Sequence, residues 1–577
     1  MSRSKPTSKA AEIEIISGLF ISAAEQMRRT LVRTAFNPVI YEVLDFGISI
    51  ADAKGRMIAE AAGITSFIGA NDYALGKLIE TLDHDELRPG DVIMLNTPYW
   101  NSAHTSDALL VTPVFLGSGG IDIWLCVRAH WLDIGAKDAG YVLDSTDVHQ
   151  EGLLMPGVRV IKEGKLDKEI WAILRANSRL PDAIEGDFNA QVACLRTGEK
   201  AVAAIFAKFG KDRVAAAVDA YIDYSDAKTR EALAGLPRGT WSSEEWLDDD
   251  GVTDTPIKMV CTVTITDDEF IVDYTGTDPQ VAGPVNIPIG GTITMAKTYF
   301  KYLTQPGTPS NHGSYAPLRV EVPEGTLFSA TYPAATYVGW SKMVAFEMIA
   351  KALAPVIDWI PASSGGDEPG FMAVGKHYVT GRPFVISNNE GIGWGATHVH
   401  DGANALQHPS TSTVRNTPIE VMERQTNLFH TRLELVENSG GLGQYRGGLG
   451  VRRDVQMAGD TEILSMKKKC KTRTWALHGG EPSQLMNHMV LWPDQPRQLK
   501  VGMYRKVLKT GESFANFAAG GSGWGDPAKR DPAAAAYDLA NGYVTESGQI
   551  EPLARLDEYS VRTLGTENEA ARKEAAE

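Results

Sequence analysis

The chain has 577 residues, too long for a single hydrophobic core, so roughly two to four domains are expected. Hydrophobic residues make up 43% and charged residues 22%, an ordinary soluble composition. The 56 Lys and Arg against 72 Asp and Glu give a net charge of -16, which disfavours nucleic acid and anionic membrane but leaves room for a local pocket that takes a small anion.

The first predicted element is an amphipathic helix over 12–36, where Ile16, Phe20, Ala23, Met27 and Leu31 recur at spacings of three and four. A hairpin follows, with Ile48 and Ile50 before an Asp52–Gly55 turn and Met57–Ala59 after it. A second helix is expected over 72–82, then the strand VIML and a long polar loop, NTPYWNSAHTSD. Two further strands, ALLVTPVFL and IDIWLCVRAHW, are separated by the turn GSGG. Residues 188–235 lack proline and read as one or two helices. The acidic stretch PRGTWSSEEWLDDDGVTDTP reads as a domain boundary. A hairpin with its turn at Asp267-Asp268 and a helix over 341–354, with Ser341 as its cap, come next. From about 380 the chain is short strands broken by Gly, Asn and Asp, with a last helix from Pro532 to Asn541-Gly542 and a frayed tail, LGTENEAARKEAAE. The expected fold is therefore α+β and multidomain, with mixed helices, mainly antiparallel sheets and a β-rich C-terminal half. The division is 1–236, a metal-binding α+β domain; 257–380, a middle α+β domain; and 381–577, a β-rich domain with the terminal helix.

Four scattered cysteines, Cys126, Cys194, Cys261 and Cys470, form no CxxC pair, so neither a zinc knuckle nor a disulfide framework is expected. No secretory signal and no run of 18 apolar residues is present, and the cytoplasm is the expected location. No dinucleotide fingerprint, no GxxxxGK[ST] phosphate loop, no GxSxG elbow and no nucleic-acid-binding pattern occurs.

The chemistry concentrates at the polar loop. His104 and Asp107 stand three apart at its end, and His130 closes the next strand but one. Two imidazoles and one carboxylate suit a divalent ion of the zinc, iron or manganese kind and leave positions open for water or substrate. The plain alternative is a polar loop with a core histidine beside Trp131. Asp45 reads either as a fourth ligand or as a turn aspartate. Asp133, His149 and Glu151 read either as groups orienting a ligand imidazole or as ordinary loop residues. Three Gly-rich stretches, near 388–396, 439–450 and 520–527, read as tight turns or as backbone that approaches an anion or interface closely, with Arg446 as a buried organiser or an anion clamp.

Several long motifs in fixed order carry a resemblance: NTPYWNSAHTSD, VRAHWLDIGAKDAG, HQEGLLMPGVRV, NSRLPDAIEGDFNAQVA, RNTPIEVME, NSGGLGQYRGGLGVRRD and GGSGWGDPAKRDP. The chain resembles the hydantoinase B/oxoprolinase family from about residue 12 to 560. The resemblance implies that His104, Asp107 and His130 hold a catalytic Zn, Mn or Fe ion, with Asp45 as a ligand or adjacent carboxylate. It implies an ATP-binding partner of the hydantoinase A type, and a hetero-oligomer such as a dimer of heterodimers. It implies first an ATP-dependent hydrolase of cyclic amides: a hydantoin, an oxoproline-like ring or a larger lactam. Two alternatives stand beside it, a component of an acetone- or acetophenone-type ketone carboxylase and a non-catalytic component with a structural ion. The usual family loop, NDPYxGGTHxxD, is altered here: Thr97 replaces an aspartate and Trp100-Asn101-Ser102-Ala103 replaces a small turn. Bulky Trp100 and Trp131-Leu132 suggest an apolar pocket for a substrate with more hydrocarbon than oxoproline.

Overall fold

The computed structural model describes residues 9–555 except 68, 118, 367–368 and 493–497. The tail expected to fray lies outside the described residues. The N-terminal third runs α1 (Lys9–Thr34), α2 (Pro38–Tyr41), β1 (Phe46–Asp52), β2 (Met57–Ala61), α3 (Ala70–Thr81), β3 (Val92–Leu95), α4 (Pro98–Asn101), β4 (Asp107–Val114), β5 (Ile123–His130), β6 (Pro156–Lys162), β7 (Lys165–Leu166), α5 (Lys168–Ala176), α6 (Pro181–Phe209) and α7 (Lys211–Ala234). Its strands form one antiparallel sheet in the order β2-β1-β5-β4-β3-β6-β7. Both faces of β4 and β5 are buried, which is why these strands read as continuous apolar runs. Alternate residues such as Leu110, Leu125 and Val127 pack with α1 and α6, while Leu109, Val111, Trp124 and Cys126 pack with α3. The segment read as one or two helices is two, starting at Pro181 and broken at Gly210, the shared cap position.

The polar stretch read as a domain boundary contains a strand over nine of its twenty residues. β8 (Gly239–Leu247) pairs along its whole length with β9 (Ile257–Ile265), and β10 (Phe270–Asp273) pairs with β9 on the other side. After α8 (Ile289–Thr304), β11 (Leu318–Glu321) adds in parallel to β10, and α9 (Ser341–Leu353) packs with α8 on the sheet. The acidic residues that suggested a linker are docked on the basic run at 467–471. Glu245 meets Lys469 at 2.7 Å and Lys351 at 2.5 Å, Asp249 meets Lys468 at 2.5 Å, and Asp248 accepts the backbone N–H groups of Cys470 and Thr472. Ser341 also departs from expectation. The residue at the cap position is Trp340, no side chain caps the helix, and the Ser341 hydroxyl donates instead to Val285 O at 2.5 Å.

The C-terminal part holds two antiparallel sheets. The first contains β12 (Phe371–Lys376) and β13 (Pro383–Asn388). After α10 (Ile419–Gln425) come β14 (Leu428–Leu435), β15 (Val451–Met457), β16 (Thr461–Met466), β17 (His488–Trp492), β18 (Gln498–Lys500), β19 (Met503–Leu508), β20 (Ser513–Phe517) and α11 (Pro532–Ala540). The sheet orders are β13-β12-β16-β19 and β14-β15-β20-β17-β18, and they share a core that includes Phe371, Ile463, Val455 and Phe514. The fold is thus α+β with mainly antiparallel sheets and a β-rich C-terminal half. No helix among the described residues is long and apolar enough to cross a membrane.

The three Gly-rich stretches interlock, backbone on backbone. Gly393 N donates to Ala519 O at 2.9 Å, Gly448 N to Trp394 O at 2.8 Å, Gly521 N to Gly448 O at 2.9 Å and Gly441 N to Gly521 O at 2.8 Å. A Cβ at Gly448 would lie 1.9 Å from Ala403 O, and one at Gly521 would lie 1.9 Å from Trp394 O. The packing alone demands glycine there. Gly448→Ala is expected to cost about 1–3 kcal/mol or more, read as a lower urea midpoint for the chain. Arg446 serves this seam, buried, with its guanidinium bonded to Gly447 O at 2.6 Å and set over the Tyr543 ring.

Glu60 on β2 accepts the Gly69 N–H at 2.8 Å at the start of α3. Burial pushes its carboxyl from 4.5 up to about 8, and Asp72 adds to the rise. The folded chain therefore binds this proton more tightly than the unfolded chain. Its contribution to stability is full below pH 4.5 and is lost as pH rises to about 8. Glu60→Gln should flatten that part of the pH dependence of Tm. Relative to the unsubstituted chain, the variant should gain as pH rises across this window.

Candidate metal centre

Three neighbouring strands deliver the site. Asp107 opens β4 and His130 closes β5, and the antiparallel register sets them directly opposite one another. On the other flank of β5, Phe46 of β1 pairs with Ala129, and the His130 N–H donates to Asp45 O at 3.3 Å. Asp45, His130 and Asp107 thus lie side by side at one sheet end, on the face that α3 covers. His104 reaches the row from the preceding loop. Its turn is closed by Asp107 N to His104 O at 3.1 Å and by a positive φ at Ser102.

The side chains converge on one point. His130 Nδ1 lies 3.1 Å and His104 Nε2 3.2 Å from Asp107 Oδ1, and the two imidazole nitrogens are 3.1 Å apart. His104 Nδ1 lies 2.9 Å from Tyr337 O. A carbonyl only accepts, so Nδ1 carries the proton and Nε2 turns its lone pair to the cluster. Asp45 Oδ1 is buried and has no hydrogen-bond partner. Two nitrogen donors, a carboxylate and an orphaned second carboxylate oxygen fit a divalent ion. Burial works against charge on His104, but the Asp107 carboxylate outweighs it and holds His104 above its ordinary value. Burial opposes ionisation of Asp107 too, yet the two imidazoles hold it well below the carboxylate range. Asp45 is raised, by burial and then by the charge of Asp107.

The supporting bonds are local and buried. Asn96 donates to Thr105 O at 2.8 Å, and Asn101 donates to Asp107 O at 2.6 Å. Asn37 donates to His130 O at 3.0 Å, and Ser106 meets the Tyr337 hydroxyl at 2.5 Å. Glu151 acts one step removed. Its carboxylate accepts the N–H groups of Thr336 (2.8 Å) and Tyr337 (3.0 Å), and so anchors the carbonyl that receives His104. Burial raises Glu151 to about 7. Asp133 and His149 do not reach either imidazole. Asp133 accepts Arg179 Nη1 at 2.7 Å, and the exposed His149 ring meets the Tyr332 hydroxyl at 2.8 Å.

The cluster opens into a cleft with walls drawn from all three parts of the chain, among them Ile64, Phe67, Ile287, Trp340, Met343 and Thr411. Of the apolar side chains expected there from the sequence, Leu132 packs in one cluster with Ile64, Phe67, Trp340 and Met343, but the two tryptophans do not. Trp100 packs with Leu75 and Trp124 beneath α3, and Trp131 is buried against the α1–α6 layer with its indole N–H on Gln191 Oε1. Nothing local in the sequence marks the wall residues between 287 and 343. A faint signal is Gly290-Gly291, where a Cβ on Gly290 would meet Ser102 Oγ at 2.0 Å.

The family model described as hydantoinase B/oxoprolinase matches residues 9–527. The chain belongs to this family. Family relatives include the B component of a putative D-/L-hydantoinase of Pseudomonas sp. strain NS671, 28% identical over 92% of this chain and 93% of the relative. The beta component of the caprolactamase of Pseudomonas jessenii is 27% identical over 95% of each chain. The chain spans only 41% of the 5-oxoprolinase PfmaA of Pestalotiopsis fici, at 28% identity. The fold is shared with ATP-dependent caprolactamase from Pseudomonas jessenii, at TM-score 0.86 and 24% identity over 96% of this chain and 99% of that one. It is also shared with nucleotide-free acetone carboxylase, at TM-score 0.83 and 17% identity over 99% of this chain and 84% of that one.

Proposed function

We propose that the chain is the metal-bearing component of an ATP-dependent cyclic-amide hydrolase, acting on an intermediate that an ATP-binding partner activates. The observation that carries this reading is the convergence of His104 Nε2, His130 Nδ1 and Asp107 Oδ1 at the foot of a cleft. Relatives named as components of a hydantoinase and of a caprolactamase, matched over nearly the full chain, favour amide opening over carboxylation. His104, Asp107 and His130 would hold Zn, Mn or Fe, with Asp45 as fourth ligand or neighbouring carboxylate. A bound divalent ion supplies Lewis-acid polarisation of an oxygen and acidifies water. The protein's own part is to orient the His104 imidazole through Tyr337 O, to brace the His130 backbone through Asn37 and to keep Asp107 ionised. Nucleotide binding falls to a hydantoinase A-like partner, in a dimer of heterodimers, which agrees with a sequence that carries no phosphate loop. The walls formed by Ile64, Phe67, Ile287, Trp340 and Met343 suit a ring larger and more apolar than oxoproline.

The test is to co-purify the chain with its partner and follow ATP-dependent loss of hydantoins and lactams against bicarbonate fixation into ketones. Amide opening is expected. ATP-driven ketone carboxylation with no amide opening would replace this reading with the carboxylase one. A metal-loaded complex inert in both assays would favour a structural ion.

A further inference from the structure

We propose that the cleft carries an oxyanion subsite beside the metal cluster, built from Lys342, Ser66 and Ser102, which takes the phosphoryl group of the activated intermediate. This rests on the reading that the cluster is the reaction centre. All three residues line the same cleft as Asp45, His104 and Asp107. Ser66 and Ser102 are 4% and 6% exposed, and neither hydroxyl has a hydrogen-bond partner. Buried hydroxyls are almost always satisfied, so two orphans on residues that line one cleft point to a ligand with acceptor oxygens.

Lys342 supplies charge. It is partly buried, and no carboxylate among the described residues reaches its ammonium, which lies 6.0 Å from the centroid of the Phe67 ring. Its charge is felt at both Asp45 and His104. The same Phe67 ring carries Arg128 Cζ at 4.9 Å, a buried guanidinium with no hydrogen bond. Two cations without an ion-pair partner among the described residues share one ring, and although the charges of Asp107 and Asp45 act on Arg128, neither carboxylate bonds to either cation, which leaves their donors to an anion in the cleft.

Two helix starts add to the field. Ile287 and Pro288, which lead into α8, and Trp340 and Lys342, which open α9, line the cleft, and neither helix has a side-chain cap. Backbone carbonyls take first-turn N–H groups of both helices, Gly291 on Pro288 O at 2.9 Å and Met343 on Trp340 O at 2.9 Å, so the helix starts add only the positive field of their dipoles. Ser102 is held against α8 by the close approach of Gly290. A tetrahedral phosphoryl group, with several acceptor oxygens and negative charge, matches two hydroxyls, an ammonium and two helix starts. A neutral amide does not need them.

The test uses the full-length, metal-loaded chain and inorganic phosphate as probe in calorimetric titration. Lys342→Met should weaken phosphate binding roughly tenfold or more, and Lys342→Arg should restore most of it. Ser66→Ala/Ser102→Ala should also weaken it, with circular dichroism and metal content unchanged in every variant. In the complex with the partner, Lys342→Met should lower ATP-dependent turnover as well. Phosphate affinity unchanged in both Lys342→Met and the double serine variant overturns the subsite. Affinity lost with turnover intact overturns the substrate-borne assignment and leaves released phosphate as the occupant. Wild-type chain that binds phosphate but no divalent ion would instead remove the metal reading, so the two failures are distinct.

Discussion

His130→Ala is expected to release the divalent ion from the chain and to lower turnover of the complex by roughly a hundred- to a thousandfold. The backbone around His130 should survive the change. Its N–H bonds to Asp45 O at 3.3 Å, its carbonyl accepts from Asn37 at 3.0 Å, and the β4–β5 register does not depend on the ring. What alanine removes is one of two nitrogen donors, 3.1 Å from Asp107 Oδ1. Asp107 and Asp45 then share one end of a sheet with His104 alone beside them, a poorer set for an ion that favours nitrogen. His104→Ala should have the same outcome through the loop side. Elemental analysis of the purified variants reads the result. Full occupancy in both histidine variants would refute the assignment. Asp45→Ala, run in parallel, separates two roles: a ligand loses the ion on substitution, whereas a neighbouring carboxylate leaves it in place.

The legible part of this site was the part that is local in sequence. HxxD in a polar loop and a histidine at a strand end could be read from spacing, because β4 and β5 are consecutive and their register follows from a single hairpin-like connection. Asp45 needed the sheet order, in which β1 sits beside β5 although β2, α3, β3, α4 and β4 lie between them in the chain, and spacing does not give that. Lys342 and Ser66 are further apart still, and meet only because three separately cored regions close on one cleft. The helices and the β-rich C-terminal half were legible from periodicity and from Gly and Asn punctuation. The strand inside the polar stretch at 237–256 was missed for a specific reason. β8 does alternate, with Trp241, Ser243, Glu245 and Leu247 inward, but two of these four are polar, and the partner of Glu245 in the run at 467–471, Lys469, is over two hundred residues away. Alternation that depends on buried ion pairs is invisible to a hydrophobic pattern. Trp100 misled in the opposite way. An aromatic beside the metal loop suggested a pocket wall, but the turn of α4 sends it beneath α3.

Glu390→Ala should destabilise the chain by about 3–5 kcal/mol. Arg453 Nε lies 2.5 Å from Glu390 Oε1 and Nη2 lies 3.2 Å from Oε2, with both side chains no more than 1% exposed. Asn388 and Asn416 fill the remaining acceptor positions at 2.9 and 3.1 Å. Removing the carboxylate strands a guanidinium on β15, inside the C-terminal part, with two amides that no longer have their acceptor. The cost is therefore mostly that of an unpaired buried charge rather than the worth of the pair. It follows that Glu390→Leu/Arg453→Met should recover most of the loss, since both charges leave together and apolar volume replaces them. Urea unfolding followed by intrinsic fluorescence reads both variants through their midpoints. A double variant as unstable as Glu390→Ala would mean that the pair holds the Gly-rich seam in place by geometry and not by charge balance. A single variant with an unchanged midpoint would mean that water reaches Arg453 and that the pair is not buried in solution.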